Sequence, residues 1–218
     1  MKRADLRTYF RSLSKHFGSQ GWWPGETPFE VMVGAILTQN TAWSNVEKAI
    51  ATLKAHDLLD PQRIASLDLE TLGLAIRPAG YFRVKAKRLQ AFVRWFIERF
   101  DGDVERMKAV PLARLREELL EVHGVGPETA DSILLYALDF PTFVVDQYTH
   151  RVAARHGLAP ESTSYDELKE VFESKLPRDA KLYNEFHALI VAVGKDFCRP
   201  KPRCEECPLR AYLPNDRR

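Results

Sequence analysis

Apolar residues recur every three to four positions through almost the whole chain: Phe29, Val33, Ile36 and Leu37, then Val46, Ala49, Ile50 and Leu53, then Leu89, Phe92, Val93 and Phe96. That spacing lines one face of an α-helix, whereas the strict alternation of a half-buried strand is scarce. Breakers interrupt the pattern at Pro24-Gly25, Asp60-Pro61, Pro78 to Gly80, Asp101-Gly102, Pro111, Gly124 to Pro127, Pro141, Gly157 to Pro160 and Pro177. They cut the chain into about ten segments joined by short loops, which predicts an all-α protein. No repeat of fixed period and no low-complexity segment appears, and no linker marks a domain boundary.

Composition adds little to this picture. With 218 residues, 45% hydrophobic and 11% aromatic, the chain can bury a sizeable core. Its 32 basic residues nearly balance 30 acidic ones, so any basic surface for a polyanion must be local. No apolar run reaches the roughly 18 residues of a membrane span, and MKRADLRTYF carries charges where the core of a signal peptide would lie. The expectation is a soluble, cytoplasmic protein. Cys198, Cys204 and Cys207 are an odd number crowded towards the C-terminus, which argues for a clustered metal site rather than a secreted disulfide framework.

The most informative segment is LREELLEVHGVGPETADSILLYAL, residues 115 to 138. A helical pattern from Leu112 to Val122 stops at Gly124-Val125-Gly126, and another starts at once with Pro127 at its first position, where a missing N–H costs nothing. This predicts helix, tight hairpin, helix. An ordinary αα-corner would share these glycines. Two glycines also leave backbone amides uncovered near the positive end of the second helix, where a phosphate can be held without reading base sequence.

Beyond it, DFPTFVVD runs from Asp139 to Asp146 as a short extended apolar stretch ending in a carboxylate. The next helical pattern spans Gln147 to His156, which places Asp146 at its N-cap. Capping alone would explain the residue. An ionised carboxylate there could equally stabilise the positive charge that builds on a sugar as its base departs, and accept a proton from attacking water.

HGVGPETADSILLYALDFPTFVVDQYTHR resembles the helix-hairpin-helix, Gly/Pro-rich loop and catalytic aspartate of the endonuclease III superfamily of DNA glycosylases. FEVMVGAILTQNTAWSNVEKAI resembles the family's early helix and minor-groove wedge loop, IRPAGYFRVKAKRL a helical corner, and FHALIVAVGKDFCRPKPRCEECPL the approach to its iron-sulfur loop. The likeness spans roughly residues 22 to 213. It implies two helical lobes, a six-helix barrel over about residues 27 to 139 and a second lobe from 1 to 26 with 140 to 218. It also implies a damaged base flipped out of double-stranded DNA into the cleft between them, and a monomer associated with DNA in a prokaryotic-type cell. Asp146 takes the catalytic position. Gly124, Val125, Gly126 and Thr129 take the DNA-gripping positions of the hairpin, and Gln39 or Asn40 the wedge that fills the hole left by the base.

The chain departs from the endonuclease III pattern in three places. Where bifunctional members carry a lysine whose amine forms a Schiff base with the sugar, this chain has Glu128, and the nearest upstream lysine is Lys108. A carboxylate cannot form that adduct, which predicts water as nucleophile and a monofunctional glycosylase. Trp22-Trp23-Pro24 and Trp43 resemble the 3-methyladenine glycosylases related to endonuclease III, and aromatic faces suit an electron-poor alkylated purine. A bifunctional enzyme for oxidised pyrimidines and a non-catalytic DNA-binding module are the rival readings.

The third departure is the cysteine loop, residues 198 to 213. The resemblance implies four cysteines around a [4Fe-4S] cluster, yet the fourth position is Leu213. A cluster with another fourth ligand, a zinc site and no metal all stay open. Arg199, Lys201 and Arg203 in the same loop are candidates for DNA phosphates.

Overall fold

A computed structural model describes residues 5–214. Among these residues the chain is all-helical, with no strand. Twelve α-helices follow one another: α1 (Leu6–Phe17), α2 (Pro28–Leu37), α3 (Trp43–Ala55), α4 (Pro61–Ser66), α5 (Leu69–Ala75), α6 (Phe82–Phe100), α7 (Val104–Lys108), α8 (Leu112–Glu121), α9 (Pro127–Ser132), α10 (Gln147–Arg155), α11 (Tyr165–Glu173) and α12 (Ala180–Asp196). Breakers seen in the sequence set many of the boundaries. Thr27 and Asp60 cap α2 and α4 with a proline at the first position, and Ser164 starts α11 with a reciprocal capping box to Glu167.

The chain divides into two compact units. One is Pro24–Phe140; the other is drawn from the described parts of Met1–Trp23 and Pro141–Arg218. In the first, α2 is buried from Phe29 to Leu37 on all sides, as a central helix must be to justify so apolar a sequence. Phe29 stacks on Phe96 with ring centroids 6.1 Å apart, and Phe92 and Phe96 stack in turn along α6. A bidentate pair from Arg116 to Asp131, at 2.9 and 3.1 Å, ties α8 to α9. After α9 the helix widens into a π-turn over Ile133–Ala137 that packs against α2.

The second unit is centred on an aromatic cluster. Phe143 stacks on Phe172 at 4.4 Å, with Tyr183 and Phe186 edge-on to it. Helix α12 packs against both α1 and α10. Gly194 makes the α10 contact possible: a Cβ there would lie 2.5 to 2.9 Å from the Tyr148 side chain. Gly194→Ala should therefore push α10 away from α12 and cost about 1 to 3 kcal/mol, read as a lowered melting temperature. An unchanged melting temperature would show that the contact is soft.

Candidate functional site

Asp146 stands where the extended segment meets α10. Buried Phe143, Val144 and Val145 anchor its approach, and the backbone N–H of Phe143 donates to Glu173 Oε1 at 2.7 Å. Asp146 caps α10: its Oδ1 accepts from the Thr149 backbone N–H at 2.7 Å and from the Thr149 hydroxyl at 2.9 Å. Its Oδ2 lies 3.7 Å from His187 Nε2, beyond a good hydrogen bond. One oxygen is thus spent on the helix, and the carboxylate plane is fixed by that cap. Burial holds the His187 imidazole below its ordinary range, while the Asp146 charge pulls the other way.

Sequence reasoning missed His187. It reads as one more member of the buried α12 face, and only the α10–α12 packing at Gly194 places it near Asp146.

The hairpin is built as its glycines require. Gly124 is left-handed at φ +84°, and a Cβ there would fall 2.2 Å from Arg88 Cγ. Among the described residues no side chain caps the start of α9, and a Cβ on Gly126 would meet nothing within 4 Å. Backbone at this turn is therefore open to close approach. Val125 and Thr129 face inward instead, and the Val125 N–H is already donated to Val122 O at 3.0 Å. Glu128 is exposed in the first turn of α9, where the helix dipole favours an acid.

Gln39 and Asn40 part company. The Gln39 amide donates to Gly124 O and to Thr129 Oγ1, both at 3.0 Å, and its Oε1 accepts from Arg88 Nη1 at 2.5 Å. That network joins the loop after α2 to the hairpin and occupies the side chain. Asn40, by contrast, is exposed and left-handed at φ +53°. A second exposed side chain in the same unit escaped the sequence analysis: Tyr81, also left-handed at φ +46°, is 73% exposed at the start of α6. Its only signal was an aromatic residue directly after Gly80.

Trp22 and Trp23 are half-buried in the unit that holds Asp146, their rings edge to face at 5.5 Å. Lys195 Nζ lies 6.0 Å over the Trp22 ring, so one face of Trp22 already carries a cation. Trp43 opens α3 in the other unit, and Pro24 is exposed at the head of that unit. Arg199, Lys201 and Arg203 are exposed on the cysteine loop. No helix among the described residues is long and apolar enough to cross a membrane.

Helix, open hairpin, helix and a capping aspartate define a class of DNA-repair protein. A family profile described as HhH-GPD superfamily base excision DNA repair protein matches residues 33–178. A Methanocaldococcus jannaschii protein provisionally named a DNA repair glycosylase is 50% identical over 93% of each chain. Endonuclease III of Thermotoga maritima is 32% identical over 85% of this chain and 82% of its own. Among solved structures, a non-covalent endonuclease III–DNA complex superposes with a TM-score of 0.82 at 25% identity, covering 95% of this chain and 93% of that one. An H. pylori 3-methyladenine DNA glycosylase bound to 1,N6-ethenoadenine superposes at 0.76 with 31% identity, over 88% and 98%. The chain belongs to the HhH-GPD superfamily and is an endonuclease III-like DNA N-glycosylase of base excision repair.

The cysteine loop does not fit the four-thiolate cluster that the family resemblance implies. Cys198, Cys204 and Cys207 line one cavity of about 20 Å³ together with apolar Val152, Val193, Leu209 and Leu213, which is space for roughly one water molecule. Arg155 donates to Cys198 Sγ at 3.4 Å, and the fourth cysteine position is held by the aliphatic side chain of Leu213, which has no donor atom for iron. Among the described residues no group of three or more His, Cys, Asp or Glu is placed to hold a metal ion.

His156 also lines this cavity. Its Nδ1 is 3.2 Å from the Tyr9 hydroxyl, and burial pushes its pKa from 6.5 to about 4 against a hydrogen bond with the Tyr212 backbone. Between those values the unfolded chain binds the proton and the folded one does not, so stability falls as pH drops from 6.5 towards 4. Buried His187 contributes in the same direction. Melting temperature should fall across that window, and the fall should be shallower in His156→Gln. An equal slope in the variant would exclude His156 as its source.

Proposed function

We propose that this protein hydrolyses the N-glycosidic bond of an alkylated purine such as 3-methyladenine, extruded from double-stranded DNA, and that it acts as a monofunctional enzyme in single copy. The observation that carries the reading is Glu128, exposed in the first turn of α9 at the position of the family's nucleophilic lysine. No amine stands there to attack the sugar. The likeness to the H. pylori enzyme, at 31% identity, supports the alkylated-purine substrate.

Asp146 is then the group that stabilises the developing oxocarbenium ion. As the C1′–N bond breaks, its electron pair leaves with the base, an oxygen of water bonds to C1′, and Asp146 takes the proton that water loses. Thr149 holds Oδ1, which leaves Oδ2 as the oxygen for this work. Trp22, Trp23 and Trp43 are each half-buried candidates for stacking, and a positively charged purine gains most from such a face. Pro24 would help to bound the base.

On the DNA side, the Gly124 and Gly126 amides of the turn grip phosphate, and Arg199, Lys201 and Arg203 add salt-sensitive contacts. Asn40 is the residue that fills the vacated position, because the Gln39 amide is engaged with the hairpin.

The test separates base release from strand scission on duplexes carrying alkylated purines or thymine glycol. The expected result is free alkylated purine with abasic strands intact until alkali is added. Strand breaks at thymine glycol without alkali, with a borohydride-trapped adduct, would overturn it. Asp146→Asn should lower base release by roughly 100-fold or more. Glu128→Lys should leave the melting temperature nearly unchanged and introduce borohydride trapping, since an exposed first-turn position tolerates either residue.

A further inference from the structure

His187 stands beside the working oxygen of Asp146, and no step of the hydrolysis above uses it. It lies on α12 and is 4% exposed. Its ring meets Phe143 edge-on with centroids 6.5 Å apart, and its Nε2 lies 3.7 Å from Asp146 Oδ2. Phe143 and Asp146 belong to the same extended segment, so one imidazole touches both the buried anchor of that segment and the carboxylate at its end.

Two contacts set this approach. Gly194 is seven residues on from His187 and so shares its face of α12; the missing Cβ lets Tyr148 of α10 come close there, and Arg151 Nη2 donates to the Gly194 carbonyl at 3.3 Å. That packing brings His187 to the N-terminus of α10. Thr149 in turn takes Oδ1 with hydrogen bonds of 2.7 and 2.9 Å, which fixes the carboxylate plane and leaves Oδ2 facing the ring.

Burial keeps the imidazole uncharged against the pull of Asp146. A protonated ring would cancel the negative charge that a sugar cation needs, whereas a neutral one can donate a single N–H and leave the carboxylate ionised. An apolar side chain would fill the space at lower cost. What it could not do is direct an oxygen.

We propose that His187 is a positioning residue for base release: with DNA in place, its Nε2–H closes the 3.7 Å gap to a hydrogen bond with Asp146 Oδ2 and holds that oxygen towards C1′ of the sugar. A shift of under about 1 Å suffices, and catalytic hydrogen bonds are commonly long in a free enzyme and tighten with substrate. A carboxylate oxygen accepts two bonds, so Oδ2 keeps a lone pair for water. This role rests on Asp146 being the catalytic carboxylate and is independent of which base is removed.

The experiment uses the full chain and measures two quantities. One is the single-turnover rate of base release from the duplex, methylated or carrying thymine glycol, on which wild-type protein acts; the other is affinity for a duplex with one tetrahydrofuran abasic analogue. His187→Met fills the space without a donor and should release base about tenfold more slowly with affinity unchanged, the loss of one hydrogen bond to a charged group. His187→Gln extends an N–H as far as Nε2 and should restore most of the rate. His187→Asn reaches only as far as Nδ1 and should stay slow, which keeps a comparison if the Met variant does not fold. In an Asp146→Asn background His187→Met should cost nothing further, since one acts through the other. Circular dichroism and thermal melting check the folding of each variant. Folded His187→Met at the wild-type rate, a Gln variant no faster than the Asn variant, or a rate loss matched by an equal loss of affinity would overturn the proposal and leave Asp146 as the catalytic group. Asp146→Asn at the wild-type rate would remove both.

Discussion

Four N–H groups at the start of every α-helix and four carbonyls at its end have no partner in the helix itself. This protein settles that constraint differently at three places, and its candidate site follows from the differences. At α10 the donors meet Asp146, so the carboxylate is aimed by the same bonds that start the helix. At α2 a terminal carbonyl meets the buried ammonium of Lys85, which fastens the next turn to a second element. At α9 no side chain among the described residues caps the helix start, and backbone at a glycine turn is what a phosphate can approach.

Much of this was legible along the chain because it is local. Periodic apolar residues mark the helices, Pro28, Pro61 and Pro127 mark their first turns, and Gly124-Val125-Gly126 marks the hairpin. Asp146 as a helix cap could be read from its position between an apolar run and a helical pattern. Contacts between residues distant in sequence could not. Gln39 meets Gly124 and Thr129 across more than eighty positions, and no local pattern distinguishes an amide that braces a hairpin from one that faces solvent. His187 is hidden for the same reason. The left-handed Tyr81 breaks a rule of backbone preference, and no local pattern announces such a break.

Helix α10 links the two halves of its unit's chemistry. Its N-terminus carries Asp146, while Arg151 and Arg155 from its later turns donate to Gly194, Cys198, Arg199 and Pro200 carbonyls. The cysteine loop is thereby tied directly to the helix that orients the carboxylate. Hydrogen bonds from two guanidinium groups hold the loop, with Leu209 and Leu213 filling its interior.

The split composition of the second unit bears on the order in which the chain acquires structure. Helix α1 buries Leu6, Tyr9 and Leu13, yet the α12 it packs against is made only after all the others. During vectorial synthesis, Pro24–Phe140 emerges as an uninterrupted segment with every internal partner already present. The apolar face of α1 must wait, through the emergence of more than 150 residues, for the surface that will cover it. A lone helix of that length is marginal in water, so α1 gains its lasting order only when α12 arrives, and until then the exposed Arg7, Arg11 and Lys15 keep the segment solvated.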